Sequence, residues 1–154
     1  MHLKTFTTDS LNEKYEFSND MFFEYEYEGV DDVPYLSEAF SVPFGDENFI
    51  VLAIDEFKNT VAGAIVITKS SQETHNGTGA KSWVCGIGVN ENYTKQKLSR
   101  KLINEMFKVC ENVGIDKIEQ SSYTDIGKVK VKPLFEEIEK QYPRVQFIDV
   151  LNLD

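Results

Sequence analysis

Residues 82–123 place the tightest constraint on what this chain can become. "SWVCGIGV", 82–89, is a short apolar run of strand character, and after Tyr93 the pattern changes. Leu98, Leu102, Met106, Val109, Cys110 and Val113 recur at helical spacing. Gly114 follows where a helix C-terminus favours a left-handed residue. "IDKIEQSSY", 115–123, then reads as another strand. A strand, a helix and a strand in that order close as a right-handed crossover, so strands 82–89 and 115–122 run parallel and lie adjacent or nearly so.

Upstream, "NFIVLAID", 48–55, and "TVAGAIVIT", 60–68, are aliphatic and β-branched, and the polar turn "EFKN" between them predicts an antiparallel hairpin. "KSSQETHNGTGAK", 69–81, is a polar loop expected to be mobile. "HLKTFT", 2–7, predicts a first strand. Asp9 or Ser10 can cap a helical stretch carrying Leu11, Tyr15, Met21, Phe22 and Tyr25, although "FFEYEYE" also alternates as a strand does. "PYLSEAF" reads as a short helix opened by Pro34. Downstream, "GKVKVKP" suggests an extended segment, and Pro133 suits the first turn of a helix "PLFEEIEKQY", with Glu136 and Glu137 early and Lys140 late as the helix dipole favours. "VQFIDVLNL" reads as a last strand. The expected class is α/β with a mixed sheet, an antiparallel hairpin plus a parallel strand pair flanked by helices, in one domain spanning 1–154.

Composition narrows the function. With 41% hydrophobic residues, eleven Phe and seven Tyr, the chain has the material for a core and differs from disordered sequences. A basic-then-apolar leader and a membrane-length apolar run are both missing, which predicts a cytoplasmic protein without a membrane partner. Cys85 and Cys110 fall in apolar segments without metal-ligand spacing and read as buried free thiols; His2 and His75 are isolated, so no metal site is expected. Residues 1–60 hold three Lys against fourteen Asp or Glu, whereas residues 61–154 are nearly neutral. That acidic field disfavours direct nucleic-acid binding. Against it, Lys95, Lys97, Arg100 and Lys101 gather where the strand gives way to the helix, with no acidic residue between Glu91 and Glu105. Such a cluster is either an exposed helix face or a phosphate site.

From residue 48 to about residue 150 the order of elements resembles the GNAT family of N-acetyltransferases. The family's signature runs from a Val ending the fourth strand, through an aromatic, into Gln/Arg-x-x-Gly-x-Gly/Ala and a Leu. Here Val89 and Tyr93 match the approach, Thr94 takes the Gln/Arg place, Lys97 the first Gly, Ser99 the Gly/Ala, and Leu98 and Leu102 the apolar places. A frame shifted by two would bring Gln96 and Ser99 into register but lose the Leu spacing. The resemblance implies a GNAT-like acyl-CoA N-acyltransferase fold with acetyl-CoA as cofactor. Gly88, Val89, Thr94, Lys95, Gln96, Lys97, Leu98, Ser99 and Arg100 would then hold it, and Cys85, Gly86 and Gly88 would suit a bulged strand or a close backbone approach.

The catalytic pattern departs from the family. A "Leu-Tyr" pair after the fifth strand supplies the acid in many members, and here it reads Leu134-Phe135. Glu119, Tyr123 and Tyr142 are the remaining candidates for proton transfer. The acidic Glu24, Glu26 and Glu28 lie where acceptor-binding segments usually precede the sheet, which predicts a cationic amine or a Lys-bearing peptide as acceptor. Two readings stay open. One is an acetyltransferase; the other is a GNAT-fold acidic protein without chemistry that occupies a basic protein partner, as some phage-encoded inhibitors of host proteins do. A monomer and a homodimer both fit the sequence.

Overall fold

The computed structural model describes residues 1–7, 26–34, 36, 47–120 and 131–150. Among these, six strands form one mixed sheet in sequence order: β1 His2–Thr7, β2 Glu47–Asp55, β3 Thr60–Lys69, β4 Ser82–Val89, β5 Lys117–Gln120 and β6 Gln146–Asp149. β1 to β4 are antiparallel, and β4, β5 and β6 run parallel. Helix α1, Leu98–Val113, makes the crossover from β4 to β5, and α2, Lys132–Glu139, makes the one from β5 to β6. The hairpin and the parallel pair therefore lie where the alternation of apolar residues and the change of period put them. No described helix is long and apolar enough to cross a membrane.

Helix α1 forms because its apolar stripe has somewhere to go. Leu102, Ile103, Met106, Phe107 and Cys110 are fully buried against Val51, Ala53, Ile65, Ile67 and Val84 on one face of the sheet. Each such side chain contributes on the order of 1.5–3 kcal/mol. Gly114 ends the helix at φ 80°, and the Ile115 N–H reaches the Cys110 carbonyl at 2.8 Å. The Lys69 ammonium donates to the Val113 carbonyl at 3.0 Å, a cation at the negative end of the helix. Helix α2 closes the same face, with Phe135 fully buried and stacked on Phe147 at 4.5 Å.

A second core occupies the opposite face, where Val30, Val33 and Leu36 cover Ile50, Leu52, Ile54, Val61, Ala64 and Val66. The segment carrying them is hydrogen-bonded to the β2–β3 turn, with the Glu28 N–H on the Asn59 carbonyl and the Val61 N–H on the Glu28 carbonyl, both at 2.9 Å. The sheet bulges twice. β3 carries Ala62 as an extra residue opposite β2, and β4 carries Cys85 as an extra residue opposite β3. The bulge expected around Cys85 is therefore present.

Three expectations change. Residues 69–81 read as a mobile loop, yet Ser70 N–H bonds the Lys81 carbonyl and Thr74 N–H the Ala80 carbonyl, each at 2.9 Å, and three side chains of the loop are bonded to β5. The helix after Tyr93 begins at Leu98, because a 3₁₀ turn over Glu91–Gln96 intervenes. Lys132, expected in an extended run, opens α2. The helix expected from residue 10, residues 127–130 of "GKVKVKP" and most of "PYLSEAF" lie outside the described residues.

Candidate functional site

The site grows from the end of β4. β4 and β5 join through two pairs, Ser82 with Ile118 and Trp83 with Glu119. Beyond them, from Val84 to Val89, no described strand lies beside β4 on that side. An edge of this kind offers backbone donors and acceptors to an extended ligand. The strand then turns on Asn90, a buried residue whose N–H reaches the bulged Ala62 carbonyl at 2.8 Å. Its side chain accepts the Asn92 N–H at 3.0 Å and so caps the 3₁₀ turn. Tyr93 follows into the core, and its hydroxyl donates to Asp55 at 2.6 Å. That shared proton holds the tyrosine above its ordinary range and the aspartate below its own.

Lys97 joins this turn to α1 in the left-handed region, at φ 55° and ψ 36°. A side chain there costs about 1–2 kcal/mol, which is why glycine is usual in such places. The amides of the first turn of α1, from Leu98 onward, have no partner within the helix and face forward from it. Lys97 and Lys101 are exposed, Ser99 is half-buried, and Leu98 points into the core. Arg100 is not free. Its guanidinium pairs with Glu137 of α2 through two bonds of 3.0 and 3.1 Å, which raises the arginine and lowers the glutamate from their ordinary values. The absence of an acid between Glu91 and Glu105 is thus made good from a distant helix.

Gly88 and Val89 end the open edge. A β-carbon on Gly88 would stand 2.1 Å from the Pro34 carbonyl oxygen, so the close backbone approach there is made by the chain's own segment. Thr94 is exposed, with its hydroxyl 3.4 Å from the Glu91 carbonyl; the side chains of Lys95 and Gln96 lie outside the described residues. Glu26 and Glu28 are exposed on the stretch that crosses the β2–β3 turn, and neighbouring Gly29 packs beside Asn90. The acidic stretch and the Asn90 turn therefore share one end of the sheet. Glu24 lies outside the described residues.

The proton-transfer candidates are scattered. Glu119 is 2% exposed, and its carboxylate accepts from the Thr74 hydroxyl at 2.5 Å, the Asn76 amide at 2.8 Å and the Thr78 hydroxyl. Tyr142 stacks on Phe107 at 5.4 Å and donates to Asn104 at 2.6 Å; burial raises its phenol, with Glu111 and Glu105 adding to the shift. It borders an open concavity of about 500 Å³ lined by Asp116, Lys117, Glu139, Arg144 and Gln146, at the end of β5 and β6 away from Asn90. Tyr123 lies outside the described residues. Burial also raises the thiol of Cys85, and it lifts that of Cys110 to about 12.

Sequence reasoning passed over Asn90, although an Asn directly after an apolar strand is a turn signal. It also passed over Asp55, whose link to Tyr93 spans 38 residues. The sequence profile of the acetyltransferase (GNAT) family matches residues 10–137. No curated protein matches the chain. Among solved structures, the tetramutant of the BH1408 protein from Bacillus halodurans is similar at 14% identity and a TM-score of 0.53, covering 90% of this chain and 92% of that one. Glucosamine-6-phosphate N-acetyltransferase from Arabidopsis thaliana is similar at 13% identity and a TM-score of 0.51, covering 90% and 91%. The profile spans most of the chain and the shared fold agrees with it, so this protein belongs to the GNAT acetyltransferase family.

Proposed function

We propose that the chain transfers an acetyl group from acetyl-CoA to a cationic amine. The observation that carries this reading is the open β4 edge leading into a left-handed residue and the forward-facing amides of α1. These features fit the cofactor. The amides of Leu98, Ser99 and Arg100 would hold its diphosphate, with Lys97 and Lys101 adding charge, and backbone groups from Val84 to Val89 would hold its extended arm. Bound acetyl-CoA supplies the activated acyl group.

Exposed Glu26 and Glu28, on the same end of the sheet, favour a cationic acceptor. An amine must lose its proton before it attacks. Glu119 and Tyr142 have their polar atoms bonded within the protein, which leaves Tyr123 or water for that step. Calorimetry with acetyl-CoA tests the reading: saturable binding, weakened by Lys97→Ala, is expected, and no heat together with no thermal shift would refute it.

One observation favours a second reading. Phe135, at the place of the family's acid, has no proton to give and is fully buried. A chain without chemistry would act through its acidic face on a basic protein. Charge reversal at Glu26 and Glu28 would then abolish a complex that is indifferent to coenzyme A.

A further inference from the structure

The motif that the proposed function leaves unused is Thr74-x-Asn76-x-Thr78 in the loop between β3 and β4. Its three short polar side chains converge on one carboxylate, Glu119, on the neighbouring strand β5. Thr74 and Thr78 donate to Oε1 and Asn76 to Oε2. A carboxylate is acceptor-only and has lone pairs for all three donors, whereas an amide in its place would present hydrogens to at least one of them. Two residues earlier on β5, the Lys117 ammonium donates to the Thr78 carbonyl at 3.3 Å, so Thr78 is gripped from both sides. Gly77 and Gly79 supply the positive φ values of 74° and 82° that the loop needs to reach them. Ala80 is fully buried, and its N–H bonds the Thr78 hydroxyl at 3.1 Å.

We propose that this grip is the brace of the β4 edge, with Glu119 as a positioning residue. The described β4–β5 ladder consists of two residue pairs, and a parallel ladder that short is weak. One of its four residues is Glu119 itself. The other strand begins at Ser82, directly after the loop that Glu119 holds. The brace therefore fixes the start of β4 against β5 at the point from which the Cys85 bulge and the open edge depart. Freed of it, β4 would be set by β3 and α1 alone, and the spacing available to an extended ligand between β4 and its neighbour would vary. A carboxylate 2% exposed with three donors is built to hold a loop. The inference rests on the proposed use of the β4 edge, yet its first test needs no ligand.

That test is hydrogen exchange on the ligand-free full chain, comparing wild type with Glu119→Gln and with the double variant Thr74→Val/Thr78→Val, which leaves the β5 core intact should the first variant fail to fold. Exchange in residues 70–86 and 117–120 is expected to quicken by about tenfold in both variants while α1 stays protected. Unchanged exchange at 82–86, or a rise shared equally by α1, would overturn the brace. Coenzyme A binding by the same variants forms the second arm, with weaker affinity expected while α1 stays protected from exchange. Should wild type itself bind no coenzyme A, the proposed function fails and the exchange result still decides the brace.

Discussion

Replacing Lys97 with glycine separates two roles that the residue combines. Its backbone is left-handed, and relieving a side chain of that conformation is worth about 1–2 kcal/mol. The greater freedom of glycine in the unfolded chain takes back roughly 0.5–1 kcal/mol. A net gain of up to about 1.5 kcal/mol remains, which for a chain of 154 residues raises the thermal midpoint by up to roughly 6 °C. The same change removes a cation from the proposed phosphate site. Losing one charge-assisted contact costs about 1.5–3 kcal/mol, a weakening of Kd by roughly tenfold to a hundredfold. Stability and affinity should therefore move in opposite directions. Differential scanning calorimetry reads the first and titration calorimetry with coenzyme A the second. Lys97→Asn, which tolerates the left-handed region and has no charge, should lose affinity as glycine does. A lower midpoint for the glycine variant would refute the backbone argument. Affinity equal to or above wild type would show that the lysine does not serve the phosphates.

Gly88→Ala should lower stability by about 1–3 kcal/mol in urea denaturation, because its methyl group meets the Pro34 carbonyl at 2.1 Å; Gly63→Ala, whose nearest neighbour is at 3.1 Å, should cost less. Phe135→Tyr restores a tyrosine at the family's acid position but puts its hydroxyl into a fully buried stack on Phe147, so a loss of about 1–3 kcal/mol without any gain in acetyl transfer is expected. Arg100→Gln tests the ion pair through pH. The arginine lowers Glu137 from its ordinary 4.5, so the pair's contribution is present above that value and is lost as pH falls through the lower folded one. The stability difference between wild type and this variant should shrink on acidification, with coenzyme A affinity changing less than for Lys97 variants.

The limits of β4 were legible because its apolar run is bounded by Lys81 and Asn90, and the α1 stripe was legible because its burial follows its spacing. The motif frame placed Lys97 where the family has glycine, and that residue adopts the backbone conformation glycine usually supplies. Long-range pairings were hidden. Nothing local to Arg100 announces Glu137, 37 residues away. Glu119 read as a candidate for proton transfer, because strand alternation names two faces without saying what covers the second. The same blindness made the Thr74–Thr78 loop look mobile: its polar side chains suggest solvent until their partner on β5 is known.

The extra residue in β4 divides the strand into halves of opposite parity. Val84 faces α1 below the bulge, and Ile87 and Val89 face it above, so the odd–even rule is broken once, at Cys85. Because Val84 and Gly86 pair with consecutive residues of β3, Ile67 and Val66, removing Cys85 would leave both halves in register. Without Cys85, Val84, Ile87 and Val89 would still face α1 and Gly88 would still meet Pro34, on a strand that has lost its kink. Cys85 therefore sets the bend of β4 and not its register, and deleting it should straighten the strand while leaving the pairing with β3 in place.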